Sequence, residues 1–119
     1  MKILITATDK SLDAEVDPRF GRAKFFALYE TDNDQVDFIN NEQNLNAPSG
    51  AGIQAGSNVI KTGATVVITG NCGPKAFRTL SEAGIKLVTN ATGTVREVAE
   101  KFKRGEYEFT TKANVEGHW

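Results

Sequence analysis

The residues best suited to chemistry fall in two stretches, Asp17-Pro18-Arg19-Phe20-Gly21-Arg22 and Thr69-Gly70-Asn71-Cys72-Gly73-Pro74, the second holding the one cysteine of the chain. Pro74 suits the first position of a helix, where its missing N–H loses nothing, so Gly73 is the expected N-cap. Backbone N–H groups and the positive end of a helix dipole would then gather at Asn71, Cys72 and Gly73, a site for an anion. A thiol at that point is expected to have a lowered pKa and to act as a metal ligand or redox target. The competing reading is a small side chain filling a tight turn, since cysteines are commonly buried and inert. One thiolate does not supply the four cysteine ligands of an ordinary iron–sulfur cluster. A cluster here has to arrive preformed and bind as an anion, be shared between chains, or be completed by another ligand.

Arg19 and Arg22 present permanently charged forks of donors to a phosphate or an anionic cluster. Against this, Asp17 is able to pair with one arginine and stiffen its loop, with Phe20 in the core. Gly21, Gly70 and Gly73 also admit a purely geometric reading. His118, the single histidine, reads first as a solvated end and second as a metal ligand carried on an arm. It lies far along the chain from Cys72, so a Cys–His nucleophilic pair requires the tail to fold back.

These residues need elements to position them. Lys2 to Ala7 is apolar and β-branched, a first and central strand. Phe25 to Thr31 and Val36 to Asn40, separated by Asp32-Asn33-Asp34, predict an antiparallel hairpin. After the polar connector Asn41 to Pro48, Ser49 is the expected cap of a helix to about Thr62, with Gly50 and Gly52 in its first turn. Ile53, Gly56, Val59 and Ile60 would lie on one side of that helix. A strand from Thr65 to Thr69 is covered on both faces, and a helix from Pro74 to about Ala83 turns Phe77 and Leu80 inward. Ile85 to Thr89 is a fifth strand. Thr94 and Glu97 form a capping box for a last helix carrying Val95, Val98, Ala99 and Phe102 at helical spacing. Glu106 to Trp119 reads as an edge strand or a loose tail.

The order is an α/β pattern, with the first and fourth strands central and the chain reversing its direction of travel between them, a switch point where open sheets bind ligands. The Asp17–Arg22 loop, the Gly50 helix start, the Gly70–Gly73 turn and the Thr92-Gly93-Thr94 helix start would all open there.

At 119 residues the chain reads as one domain that buries about two-thirds of its unfolded surface without a staple. A net charge of -1 argues against a nucleic-acid or membrane-surface binder. One cysteine, no signal-like start and no membrane-length apolar run suggest a cytoplasmic protein, and a monomer is expected.

Asp17-Pro18-Arg19-Phe20-Gly21-Arg22-Ala23, Gly50-Ala51-Gly52, Thr69 to Phe77 and Leu80-Ala83-Gly84-Ile85, in this order, resemble the nitrogenase iron–molybdenum cofactor biosynthesis family of small accessory proteins. The likeness covers about Met1 to Gly105 and leaves 106–119 outside as a tail. It implies a ribonuclease H-like, three-layer α/β/α fold with a five-stranded mixed sheet ordered 3-2-1-4-5, strand 2 antiparallel. It also implies binding of a metal–sulfur cluster, of the iron–molybdenum type or of the molybdenum–copper sulfide type held by the orange protein branch without an ordinary set of cysteine ligands. Donor and acceptor proteins for the cluster follow as partners. A cysteine at position 72 is not required by the family pattern that the chain resembles.

The expectation is a non-enzymatic cluster carrier whose site comprises Arg19, Arg22, Gly50, Gly52, Gly70, Asn71, Cys72, Gly73 and Thr94. Two other classes compete. A metal-dependent phosphate-ester enzyme would draw on Asp9, Asp13 and Asp17, which lack a strand-borne carboxylate partner. A scaffold would instead receive a protein segment in the crevice.

Overall fold

A computed structural model describes residues 1–42 and 50–115. Ser49, most of the Asn41–Pro48 connector, and His118 with the end of the tail lie outside the described residues.

Five strands form one sheet in the order β3-β2-β1-β4-β5: β1 (Lys2–Ala7), β2 (Phe25–Glu30), β3 (Val36–Asn40), β4 (Val66–Ile68) and β5 (Lys86–Val88). β2 pairs antiparallel with β1 and β3, whereas β4 is parallel to β1 and to β5, so β2 alone runs against the other four. This is the expected topology. β1 is central because Ile3 to Ala7 are all buried, with alternate side chains serving opposite faces. Ile3, Ile5 and Ala7 join Val66, Ile68 and Val88 on one face, covered by α3 (Val95–Lys103). Leu4, Phe26, Val67 and Leu87 meet α1 (Ala51–Ile60) and α2 (Pro74–Glu82) on the other.

Phe20 reaches back from its loop into that second layer and stacks on Phe26 at 5.8 Å. Leu80 is fully buried there and Phe77 packs against the same cluster.

Helix α1 differs from the expected amphipathic pattern. Ala51, Ala55, Gly56 and Val59 face inward, while Ile53 and Ile60 are 44% and 42% exposed. The reason is the closeness of α1 to α2: a Cβ added at Gly56 would stand 2.9 Å from Cγ2 of Thr79. Only small residues fit such a contact, so side-chain size and not apolarity selects the buried face.

Beyond α3 the chain does not form a strand. Residues 106–115 run past the outer margin of β5, where the Thr110 N–H donates to the Leu87 carbonyl and the Thr110 hydroxyl accepts from the Thr89 N–H at 3.0 Å.

Candidate functional site

The loop after β1 is organised around a nearly buried carboxylate. Oδ1 of Asp17 accepts the Arg19 N–H at 3.0 Å and Oδ2 accepts the Lys24 N–H at 3.3 Å. The Asp17 N–H donates to the Thr6 carbonyl, and the buried Thr6 hydroxyl donates back to the Asp17 carbonyl at 2.7 Å. Thr69 completes this knot, its hydroxyl 2.9 Å from that of Thr6. The loop is therefore stitched to the carboxyl ends of β1 and β4.

The same loop lies along the Gly70–Gly73 turn. Arg19 bridges Asn71 in parallel register, the Phe20 N–H donates to the Asn71 carbonyl, and Nδ2 of Asn71 donates to the Pro18 carbonyl at 2.9 Å. Glycines permit this approach. A Cβ at Gly70 would stand 2.7 Å from Cα of Pro18, one at Gly21 would stand 2.8 Å from Cα of Gly52, and one at Gly52 would stand 3.0 Å from Cβ of Ala76. Gly21, the first turn of α1 and the first turn of α2 are thus stacked in contact.

The starts of α1 and α2 have no side-chain cap and no acidic residue in the first turn. Gly50, the N-cap of α1, has φ 77°, a left-handed conformation that suits glycine. Gly73 caps α2 with extended backbone before Pro74, as expected. The positive dipole ends of both helix starts thus lie against the loop that carries Arg19 and Arg22. Arg19 has its Nε 3.8 Å from Oδ1 of Asp17 and remains 40% exposed, so the pairing read as the alternative exists and still leaves the guanidinium accessible.

The start of α3 is different, which corrects the expectation for Thr94. The Thr94 hydroxyl accepts the Glu97 N–H, and the Glu97 carboxylate accepts the Thr94 N–H. The Val95 and Arg96 N–H groups donate to the Ala14 and Leu12 carbonyls, and the Val98 N–H to the Thr94 carbonyl. The N–H groups of Thr94, Val95, Arg96 and Glu97, the four otherwise orphaned donors, are used internally and Glu97 supplies negative charge, so this helix end does not attract an anion. Thr94 is a structural cap. Thr94→Ala is expected to cost about 1 kcal/mol in chemical unfolding and to leave ligand retention at the α1/α2 edge unchanged.

Cys72 requires a second correction. Its side chain is fully buried in the cluster with Phe20, Ala76 and Leu80, and Sγ donates to the Gly73 carbonyl at 3.6 Å. Burial pushes the thiol pKa up to about 12, opposite to the lowering expected at a helix start. Desolvation dominates because the side chain points into the core and not along the helix axis. Burial favours the neutral thiol and encloses it away from the surface, which agrees with the space-filling reading.

Asn114 is the residue that local sequence reasoning missed. Its Oδ1 accepts the Cys72 N–H at 2.8 Å, and its own N–H donates to the Cys72 carbonyl at 3.2 Å. Nδ2 lies 3.3 Å from the Gly70 carbonyl and 3.2 Å from Oδ1 of Asn71. Nothing near position 114 signals a contact with a turn 42 residues earlier.

Asp9, Asp13 and Asp17 do not converge. Asp9 accepts the Lys10 N–H, Asp13 pairs with Arg96 at 3.3 Å, and Asp17 is enclosed by its own loop. Among the described residues, no three His, Cys, Asp or Glu side chains are grouped to hold a metal ion.

Comparison with known proteins agrees with this architecture. The apo form of the orange protein from Desulfovibrio gigas superposes with a TM-score of 0.93 at 36% identity, over 96% of both chains. A putative NifB protein from Thermotoga gives 0.83 at 31% identity over 98% of both. An uncharacterized protein from Methanocaldococcus jannaschii is 28% identical over 111 residues, covering 91% of this chain and 90% of its own. Residues 1–105 match the family model described as dinitrogenase iron-molybdenum cofactor, and the chain belongs to that family.

Proposed function

We propose that the protein is a non-enzymatic carrier that holds a preformed, anionic metal–sulfur cluster as cargo at the carboxyl edge of its sheet. The observation that carries this reading is the packing of two uncapped helix starts against each other and against the Arg19–Arg22 loop, while the third helix start is closed by its own box. Fixed N–H groups and guanidinium donors suit a polyanion with sulfido or oxo surface atoms. Exposed sulfur atoms of such a cargo accept hydrogen bonds without any protein thiolate, which fits a site whose only cysteine is buried. Similarity to the orange protein, and membership of a family named for the iron–molybdenum cofactor, support this class of cargo. A carrier of this kind receives its cluster from one protein and passes it to another, so an open edge is of use where an enclosed pocket would not be. The dispersal of Asp9, Asp13 and Asp17 leaves the phosphate-ester reading without a metal-binding carboxylate set among the described residues.

Anaerobic titration of the purified protein with tetrathiomolybdate, with and without copper, followed by gel filtration and metal analysis, tests the proposal. Stoichiometric molybdenum in the protein peak is the expected result. Absence of retained metal under all conditions overturns the molybdenum–sulfide cargo. In the same assay, Cys72→Ala should retain as much molybdenum as the parent while losing about 1 kcal/mol of stability to the vacated space. Loss of retention in that variant, with its fold intact, would reinstate the thiol as a ligand.

A further inference from the structure

Among the described residues, the segment after α3 is held to the body of the protein at two points of polar contact. Thr110 binds Leu87 and Thr89 on β5, and Asn114 binds Gly70, Asn71 and Cys72 on the turn. Between and around these points the segment contributes little to the core: Glu108, Phe109, Thr111 and Lys112 are exposed, and Asn114 itself stays exposed while its carboxamide reaches inward. Tyr107 is the apolar anchor, packed beside α3 with Nζ of Lys101 5.1 Å over its ring. A segment with few buried apolar contacts and solvent-facing hydrogen bonds opens locally, at far lower free energy than the sheet beneath it.

What Asn114 holds is informative. Its Oδ1 sits on the Cys72 N–H, immediately before the uncapped start of α2, where an acceptor atom of an anionic ligand would bind. The neighbouring peptide carbonyls of Gly70 and Cys72 are held by the same residue. We propose that residues 110–114 form a latch, with the Asn114 carboxamide acting as a self-supplied ligand that lifts from the Cys72 N–H when an anion binds there. The competition half of this proposal rests on the cargo site proposed above. The local opening of the latch does not.

Two measurements separate these parts. In the ligand-free full chain, native-state amide hydrogen exchange followed by NMR should find the Cys72 N–H exchanging at least a hundredfold faster than the Ile5 N–H of the central strand. Asn114→Ala should speed Cys72 by at least a further tenfold with Ile5 changed less than twofold. Lys112→Ala, at an exposed position of the same segment, should change neither. Thr110→Val, which removes only the hydroxyl at Thr89, should give a smaller acceleration of Cys72. Equal exchange of Cys72 and Ile5 in the parent, or no acceleration in Asn114→Ala, overturns the latch. Tetrathiomolybdate is the probe for competition: Asn114→Ala should bind it at least threefold more tightly than the parent. Equal or weaker binding overturns the self-ligand role, whereas failure of both proteins to bind counts against the cargo site and leaves the exchange result to decide the latch.

Discussion

Gly70→Ala is expected to lower the melting temperature by roughly 10 °C, reflecting about 2–3 kcal/mol of overpacking. The added methyl would meet Cα of Pro18 at 2.7 Å and the Pro18 carbonyl oxygen at 2.9 Å. Both are backbone atoms, so no rotamer change relieves the clash. Relief requires the loop after β1 to move off the turn, which breaks the Asn71 to Pro18 and Phe20 to Asn71 hydrogen bonds and displaces Arg19. Gly50→Ala is the comparison: its backbone is left-handed but its Cβ direction is open, so only conformational strain of about 1 kcal/mol applies. Thermal unfolding followed by circular dichroism should rank Gly70→Ala well below Gly50→Ala. The reverse order would show that loop and turn yield easily. The same variant should also lose tetrathiomolybdate retention, because a displaced Arg19 no longer faces the helix starts.

The second large effect concerns charge without packing. Arg19→Ala combined with Arg22→Ala should reduce molybdenum retention at least tenfold. Hydrogen bonds to charged groups contribute about 1.5–3 kcal/mol each when well formed, and partial exposure at Arg19 reduces that figure. The double variant should still fold, because Phe20 and the Asp17 backbone bonds anchor the loop, with stability lowered by about 1 kcal/mol for the contacts the two arginines make. Retention by the parent should also weaken as salt rises, since charges at a partly exposed edge are screened. Full retention in a folded double variant would remove the arginines from the site.

The topology was legible because β-branched runs, the hairpin spacer and the Thr94–Glu97 box are local signals, and each strand lies where its residues predict. The meeting of the Asp17–Arg22 loop, the Gly50 helix start and the Gly70–Gly73 turn at one edge was legible for the same reason, since turns at strand ends can be read from glycine and proline. Three features were not. Cys72 was assigned by its position before a helix, but pKa follows side-chain direction, which local sequence does not encode. Ile53 and Ile60 were expected on the same side as Gly56 and Val59, while the face that is buried carries Ala51, Ala55, Gly56 and Val59. Gly52 and Gly70 were expected at the ligand site and Gly21 was open to a purely geometric reading; all three are close contacts between layers, a role visible only once Ala76 and Pro18 are in place.

The way Thr110 lies on β5 has a consequence for the behaviour of the protein in concentrated solution. A sheet margin with bare amide groups invites pairing with a strand from another molecule. On β5 the Leu87 carbonyl is covered by Thr110, and the Thr89 N–H just beyond the strand is covered as well. Lys86 adds an exposed charge at the start of the strand. Releasing residues 110–114 therefore uncovers the turn and strips this margin in one event. A population of molecules with the segment lifted would be prone to intermolecular strand pairing, and agents that keep the segment seated would double as protection against aggregation.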